Sequence, residues 1–335
     1  MARPTSFPRR TAAGVLVIVA GVLAQACGSG DSTRLPHVNL ITGATGSDWY
    51  RIGSAVALHT NTLLGGQLVT AVPGAGGISN PARVARFSGD FGVAFVPFLR
   101  LAYEGAPPYP NAFRELRHVA SLISNTLHLI VSPELTVASL ADIKTQQLAV
   151  RMGTGPPGSG EELLLRESLA LAGITYDDIR AWGGRIDLLG SAERADLFRD
   201  DHIDLIVFNS NAPSAVVTEL MLSRPARFLP MDDETREALR DRWHVELTTL
   251  PGNTYANQPA EIPTVGITFG LFTTAEMRED YVYSLAKAVA TNQPYLQSIH
   301  VGFRTWNPKE MVNGGGIPLH PGAARYYRER GWVQP

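Results

Sequence analysis

Short apolar segments alternate with segments whose apolar residues recur at helical spacing along most of this chain. Apolar runs bounded by polar or glycine-rich turns predict buried strands at 38–41, 67–72, 92–96, 127–131, 148–152, 203–208 and 265–272. Helical spacing predicts helices at about 48–64, 161–172 and 321–330. Because strands and helices follow each other in turn, we expect an α/β fold.

Single residues sharpen the expected helix positions. Ile52 and Leu63 are expected to share the buried face of the first helix. Pro213 is expected near the first turn of a helix that follows the strand at 203–208. Thr273 and Glu276 have the spacing of a capping box, and we expect them to start the helix after the last strand.

Glycine-rich turns follow several predicted strands and lead into helices. They lie at 43–47, 74–77 and 153–160. The first N–H groups of a helix have no partner within it and carry the positive end of its dipole. Several such turns facing one crevice would therefore bind an anion, at the edge where open α/β sheets bind ligands. The alternative is that the glycines only make tight connections.

The N-terminal segment has the features of an export signal. Three arginines precede an uncharged apolar run at 12–24, and Ala24-Gln25-Ala26 is a small-x-small cleavage signal directly before Cys27. The run is too short to span a membrane. Because 23–27 also resembles the bacterial lipobox, we expect a signal peptide over 1–26 and a lipid on Cys27. Ordinary secretion with a free cysteine is the alternative.

Composition limits what an exported protein of this kind can be. Cys27 is the one cysteine, so a hydrophobic core and not an internal disulfide must stabilise the fold. The formal net charge is −2, and the export signal contributes arginines but no acidic residue. Such a chain gives no electrostatic basis for binding nucleic acid. Residues 27–36 are small and polar and are expected to form a flexible tether.

Other motifs do not predict an enzyme. Residues 153–158 match G-x-G-x-x-G, but Pro156 and Pro157 stand where a dinucleotide-binding helix would already have begun. The eight histidines show no metal-ligand spacing, and no serine lies in a G-x-S-x-G turn. We therefore expect no cofactor, no metal and no catalytic activity, although a serine nucleophile such as Ser159 on another scaffold stays open.

Six segments together resemble one family of binding proteins. The segment 43–53 is similar to the G-S-T-G-G-T-Y-Y-P-L-G opening of TAXI-type solute receptors, the extracytoplasmic binding proteins of one class of TRAP transporter. The similarity continues, in order, through 76–80, 127–131, 139–144, 157–160 and 317–327. It covers nearly all of 37–335.

The resemblance implies a type II periplasmic-binding-protein fold, in which two α/β lobes enclose a ligand cleft. It places lobe I at 37–127 plus 228–335 and lobe II at 128–227. The implied function is periplasmic capture of a small solute, a carboxylate or an amino acid, and its delivery to an ion-coupled TRAP membrane permease. A lipid on Cys27 would keep the receptor at the membrane. A receptor-like lipoprotein used in sensing or adhesion is the alternative, followed by an exported serine hydrolase.

Matching the family's motifs also implies the ligand contacts. They are Thr45, Gly46, Ser47, Trp49, Tyr50, Gly76, Gly77, Arg151, Thr154, Gly158, Ser159, Gly160, Glu161, Asn209 and Asn211. Tyr50 would cover an apolar part of the ligand, and Arg151 would either face a ligand carboxylate or point to solvent.

This chain departs from the family pattern at several of these positions. Ser47, Asp48 and Trp49 stand where the family has Gly, Thr and Tyr, and Glu161 replaces the Thr of P-G-S-G-T. The Glu161 carboxylate would either complement the helix dipole or enter the cleft and pair with a ligand amine.

Overall fold

The computed structural model describes residues 36–43, 45, 47–74, 76–86, 90–157 and 159–334. The expected signal peptide, Cys27 and the tether as far as residue 35 lie outside these residues, as do Gly46 and Gly158. Among the helices that are described, none is long and apolar enough to cross a membrane.

The described strands belong to one mixed sheet. They are β1 Val38–Ile41, β2 Val69–Val72, β3 Phe91–Phe95, β4 Leu116–Val131, β5 Arg151–Thr154, β6 Arg185–Leu188, β7 Leu205–Ser210, β8 Arg227–Phe228, β9 Glu246–Leu250 and β10 Ile262–Thr274. The main path through the sheet runs β2-β1-β3-β10-β4-β7-β5-β6, with β8 beside β4 and β9 beside β10.

Helices connect and cover these strands. They are α1 Asp48–Leu64, α2 Ser79–Arg86, α3 Val96–Glu104, α4 Leu140–Gln146, α5 Gly160–Leu171, α6 Tyr176–Ala181, α7 Ser191–Arg199, α8 Ala215–Ser223, α9 Asp233–Trp243, α10 Glu279–Thr291, α11 Gln293–Ile299 and α12 Pro321–Glu329. Two short 3₁₀ helices lie at Val301–Arg304 and Pro308–Val312.

Two long antiparallel strands, β4 and β10, join the halves of the sheet, and we call them the crossover ribbon. Strand β10 pairs with β3 on one side, while the last residues of β4, from Thr126 to Val131, pair with β7 on the other. Parallel strands flank the ribbon on both sides, with β1 between β2 and β3, and β5 between β6 and β7. The α/β fold predicted from the sequence is confirmed, and it has two lobes that share one sheet.

The pattern predicted only the last third of β4. Its first part contains polar residues, which broke the apolar run, but hydrogen bonds satisfy them inside the fold. Ser121 Oγ donates to the carbonyl of Asn313 at 2.7 Å, and His118 Nε2 lies 3.0 Å from the carbonyl of Met311. Polar side chains with such partners are compatible with a buried strand.

Helix α1 has the predicted bounds because its ends are well specified. Ser47 is the N-cap and its hydroxyl accepts from the N–H of Tyr50, while Gly65 closes the helix at φ 71°. Ile52 is buried as expected. The expectation for Leu63 is wrong, because that side chain is 37% exposed at the end of the helix, past the strands that α1 covers.

The expectation for the start of the helix after the last strand is also wrong. Thr273 lies within β10, where its hydroxyl donates to the carbonyl of Asp90, so α10 begins later, after Arg278. The strand continues further than the apolar run indicated. Pro213 lies near the first turn of α8, as expected, directly before the N-cap Ser214.

Asn80 ties α2 to the middle of β3 and to the residue that follows β1. Its wholly buried Nδ2 donates to the carbonyls of Thr42 and Val93, at 2.9 and 2.8 Å. We expect Asn80→Ala to lower the free energy of unfolding by about 2 kcal/mol, because two buried carbonyls lose a partner. Urea denaturation measures this. Asn292→Ala, at a partly exposed N-cap whose side chain makes no cap hydrogen bond, is the control, and an equal loss in both variants would contradict the expectation.

Candidate functional site

A cleft lies where the strands of both lobes end and several helices begin. It has two adjoining cavities. One, of about 710 Å³, is lined by the described residues of the glycine turns, which are Gly43, Thr45, Gly74, Gly76, Gly77, Pro156, Pro157, Ser159 and Gly160. We call it the glycine compartment. The other, of about 550 Å³, is lined by Asp48, the segments 208–211 and 213–216, Phe269 and 299–301, and we call it the helix compartment.

Most of the predicted ligand contacts come together here. Those lining the glycine compartment are Thr45, Ser47, Trp49, Gly76, Gly77, Ser159, Gly160, Glu161 and Asn209. Asn211 lines the helix compartment, where its amide donates to the carbonyl of Pro213 at 3.0 Å. Residues far apart in sequence therefore meet in one cleft, as the glycine turns predicted.

Three predicted contacts lie elsewhere. Arg151 is at the opposite end of β5 from the glycine turn, where its guanidinium pairs with Asp204 at 2.5 Å. That hydrogen bond raises the pKa of Arg151 further above its usual range. Tyr50 faces a separate groove between α1 and α11, and the side chain of Thr154 is fully buried beneath the cleft.

Aromatic rings separate the two compartments. Trp49 stacks on Phe269 with ring centroids 5.1 Å apart, and it meets the edge of Phe95 at 4.7 Å. A Cβ at Gly77 or at Gly160 would lie 2.8 Å from the Phe95 ring. Glycine is thus required at both positions by the close approach of the ring, in addition to any use of their N–H groups. Phe95 and Trp49 supply the apolar surface that Tyr50 was expected to give.

Sequence reasoning missed the most buried charge in the cleft, Arg194 of α7. Its side chain is 1% exposed, yet it lines both compartments. One Nη donates to Glu161 Oε1 and the other to the carbonyl of Leu189, each at 2.7 Å, and the guanidinium lies 4.7 Å above the Phe208 ring. Arg194 and Glu161 are separated by 33 positions in the sequence, so no local pattern indicated this pair.

Burial lowers the pKa of the Arg194 guanidinium, and the Glu161 carboxylate opposes that shift. An arginine nevertheless stays protonated at physiological pH, so the cleft contains a fixed positive charge. Within the described part of the chain, its Nε is buried without a hydrogen-bond partner. A buried N–H of this kind is costly unless another group accepts from it.

Asn209, at the end of β7, provides further unused hydrogen-bonding groups. Both its Oδ1 and its Nδ2 are buried and, among the described residues, have no partner. Its backbone carbonyl is held by the Asn125 amide at 3.3 Å. The side chain can therefore both donate to and accept from a ligand at the border of the two compartments.

Four helices begin at the cleft, with N-caps at Ser47, Ser159, Gly190 and Ser214. The hydroxyls of the first two N-cap residues accept from an N–H of their own helix. The starts of α7 and α8, among the described residues, receive no such side-chain bond. Their first N–H groups add positive potential to the site.

The outer edge of the helix compartment contains a second charge cluster. Asp48 pairs with Arg51, and His300 Nε2 lies 3.5 Å from its other oxygen. The hydrogen bond with His300 lowers the pKa of Asp48 to about 2, partial burial opposes the shift, and Arg51 adds to it. Asp48 is therefore a carboxylate over the whole physiological range.

This chain is similar to known proteins both in sequence profile and in fold. The profile of the NMT1-like family matches residues 40–331. Among solved structures, MatC from Rhodopseudomonas palustris, with bound malate, is 13% identical with a TM-score of 0.53, over 89% of this chain and 98% of that one.

Two further structures give the same result. The periplasmic binding protein BugD is 15% identical with a TM-score of 0.51, over 89% of this chain and 95% of its own. A TctC solute-binding protein from Polaromonas is 16% identical with a TM-score of 0.50, over 89% and 98%. The TM-scores show that these proteins share their fold, that of periplasmic solute-binding proteins, with this chain, and at such low identities they show the fold alone. The chain belongs to the NMT1-like family.

Proposed function

We propose that this protein is an extracytoplasmic receptor that binds a small carboxylate or amino acid in the cleft and delivers it to a TRAP-type, ion-coupled membrane permease. The observation that carries the proposal is the buried guanidinium of Arg194, which lines the cleft together with the side-chain amide of Asn209, an amide that has no partner among the described residues. Both groups lie at a cavity of the size that small-molecule ligands occupy, surrounded by the starts of four helices.

Capture would work by closure of the two lobes, with lobe I at 37–127 plus 228–335 and lobe II at 128–227. Phe95 then belongs to one lobe and Gly160 to the other, and their close contact would form as the cleft closes. A solute that bridges the lobes stabilises the closed form by the difference between its binding free energies for the closed and the open forms. The permease would recognise the closed form.

Two relationships support this reading. MatC, which has the same fold, contains bound malate, a dicarboxylate, so this fold accommodates carboxylate solutes, although MatC does not indicate how many carboxylates this cleft accepts. The segments 43–53 and 317–327 of this chain resemble the TAXI-type receptors of TRAP transporters. Export through the segment 1–26 and a lipid at Cys27 would hold the receptor in the periplasm at the membrane surface.

A solute screen tests the proposal directly. The mature protein, mixed with a panel of organic acids and amino acids, is expected to melt at a higher temperature with the correct solute, because a ligand that binds only the folded state stabilises it. No shift with any compound on the panel would contradict the proposal.

Asn209→Ala gives a sharper result with the solute that the screen identifies. We expect its Kd to rise about tenfold, since one good hydrogen bond contributes about 1.5 kcal/mol. Stability without solute should change little, because the amide has no partner among the described residues. Isothermal titration calorimetry measures the affinity, with Asn292→Ala as control. An unchanged Kd for Asn209→Ala would place the solute elsewhere.

A further inference from the structure

We infer that Glu161 sets the charge of the solute: the cleft accepts one carboxylate together with a hydrogen-bond donor that faces Glu161, and it excludes solutes with two carboxylates and no cationic group. This inference rests on the proposed function, because it takes the cleft to be a carboxylate-binding site. It names the class of solute as zwitterionic amino acids and simple monocarboxylates that bear a hydroxyl or amine.

The charges that line the cleft already balance inside the protein. Across both compartments the described acidic and basic residues are Asp48, Arg51, Glu161, Arg194 and His300. Arg51 pairs with Asp48, and Arg194 pairs with Glu161. Each arginine thus has an internal carboxylate partner, and neither is left to neutralise a second carboxylate of a solute.

One carboxylate can still be accommodated. The Nε of Arg194 is free to donate, the Asn209 amide is unpartnered in the described part of the chain, and α7 and α8 begin beside them. Neutral donors and helix starts suffice for a single anionic group. A second carboxylate in the same cleft would have to lie in the field of Glu161 and Asp48 with no cation to spare.

Glu161 is positioned to face the solute. Its side chain is 16% exposed, lines both compartments and lies over Gly155, where a Cβ would come within 2.6 Å of Oε1. Oε1 accepts from Arg194 at 2.7 Å. Within the described residues nothing donates to Oε2, so this oxygen can accept from an ammonium or hydroxyl of the solute.

Matched pairs of compounds test the inference. The pairs are 4-hydroxybutyrate with succinate, 5-hydroxypentanoate with glutarate, and lactate with malonate, each measured by calorimetry and thermal shift. Wild-type protein is expected to prefer the singly charged member of any pair that it binds by at least tenfold. Glu161→Gln keeps the side-chain size and an oxygen that accepts from Arg194. In this variant the ratio of affinities for the singly charged compound and the dicarboxylate should be at least tenfold smaller than in wild type.

Glu162→Gln is the matched control. Glu162 is the next residue of α5 and also a carboxylate, but it pairs with Arg166 at 3.0 Å and lines neither compartment. The Glu162→Gln variant should prefer the singly charged member of each pair by the same factor as wild type. Glu161→Asp, which keeps the charge, should retain the preference if Glu161→Gln does not fold.

The outcomes separate the two proposals. If wild type binds a dicarboxylate within tenfold of its singly charged partner, or if Glu161→Gln keeps the wild-type preference, the role of Glu161 is overturned and the receptor function remains. If neither these pairs nor the wider solute screen gives binding to wild type or to Glu161→Gln, the carboxylate receptor itself is overturned.

Discussion

Arg194→Met is expected to lower the free energy of unfolding by about 3 kcal/mol and to remove the thermal shift caused by the solute. The change deletes the cation but keeps an apolar side chain of similar length over the Phe208 ring. It leaves the Glu161 carboxylate, 16% exposed, without its 2.7 Å partner. Removing one partner of a buried ion pair lowers the free energy of unfolding by more than the intact pair contributed to it, because the remaining charge is left poorly solvated.

A double variant separates these two effects. Glu161→Met together with Arg194→Met removes both charges, and we expect it to recover most of the lost stability, because replacing a buried pair by apolar groups is often close to neutral. Binding of the solute should not return, since the guanidinium is still absent. Urea denaturation measures stability, and calorimetry measures binding.

Arg180→Met is the matched control for the single change. Arg180 also pairs with an acidic residue, Asp177, at 2.7 Å, but the two side chains are 55% and 93% exposed. Such surface pairs contribute about 0–1 kcal/mol. A loss at Arg194 no larger than the loss at Arg180 would show that the cleft pair is as well solvated as a surface pair.

Acid is expected to destabilise this protein between pH 6.5 and 4 through two buried histidines. Burial lowers the pKa of His118 and of His128 to about 4 each. The unfolded chain takes up these protons near pH 6.5, whereas the folded protein does so only near pH 4. Stability is therefore retained above pH 6.5 and falls as the pH drops toward 4, by about 3 kcal/mol for each histidine.

His128→Gln tests this pH dependence. Nε2 of His128 lies 2.9 Å from Tyr255 Oη, and a glutamine amide can bond to the same hydroxyl. Between pH 7 and pH 4 the free energy of unfolding of the variant should fall by about 3 kcal/mol less than that of wild type, whatever the stability of the variant at pH 7. Urea midpoints across this range measure the slope, with the exposed His202→Gln as control. Parallel slopes for wild type and His128→Gln would contradict the assignment.

Local signals in the sequence were enough to predict α1, α5 and α12 within a residue or two at each end. Each has an N-cap side chain that bonds back to its first turn, from Ser47, Ser159 or His320. The limits of the strands were harder to predict. In β4 and β10 the strand continues through residues such as His118 and Thr273, whose partners lie far away in sequence.

The same distinction applies to the candidate site. Glycine turns are local patterns, and they predicted where the chain would line a cleft. The direction of a side chain depends on neighbours that the pattern cannot supply. Trp49 faces Phe269 while the adjacent Tyr50 faces α11, and Glu161 turns toward an arginine that no motif contains.

The crossover ribbon has a consequence for association between molecules. Because β4 and β10 join the halves of the sheet, its main path of strands has two ends, at β2 and β6, and the short strands β8 and β9 each pair on one side only, with β4 and β10. Both terminal strands are only four residues long, and β6 carries the charges of Arg185 and Asp187. Short and charged edge strands are poor templates for pairing with another chain. The strands that span the two lobes thus also leave few places where neighbouring copies could add strand to strand and aggregate.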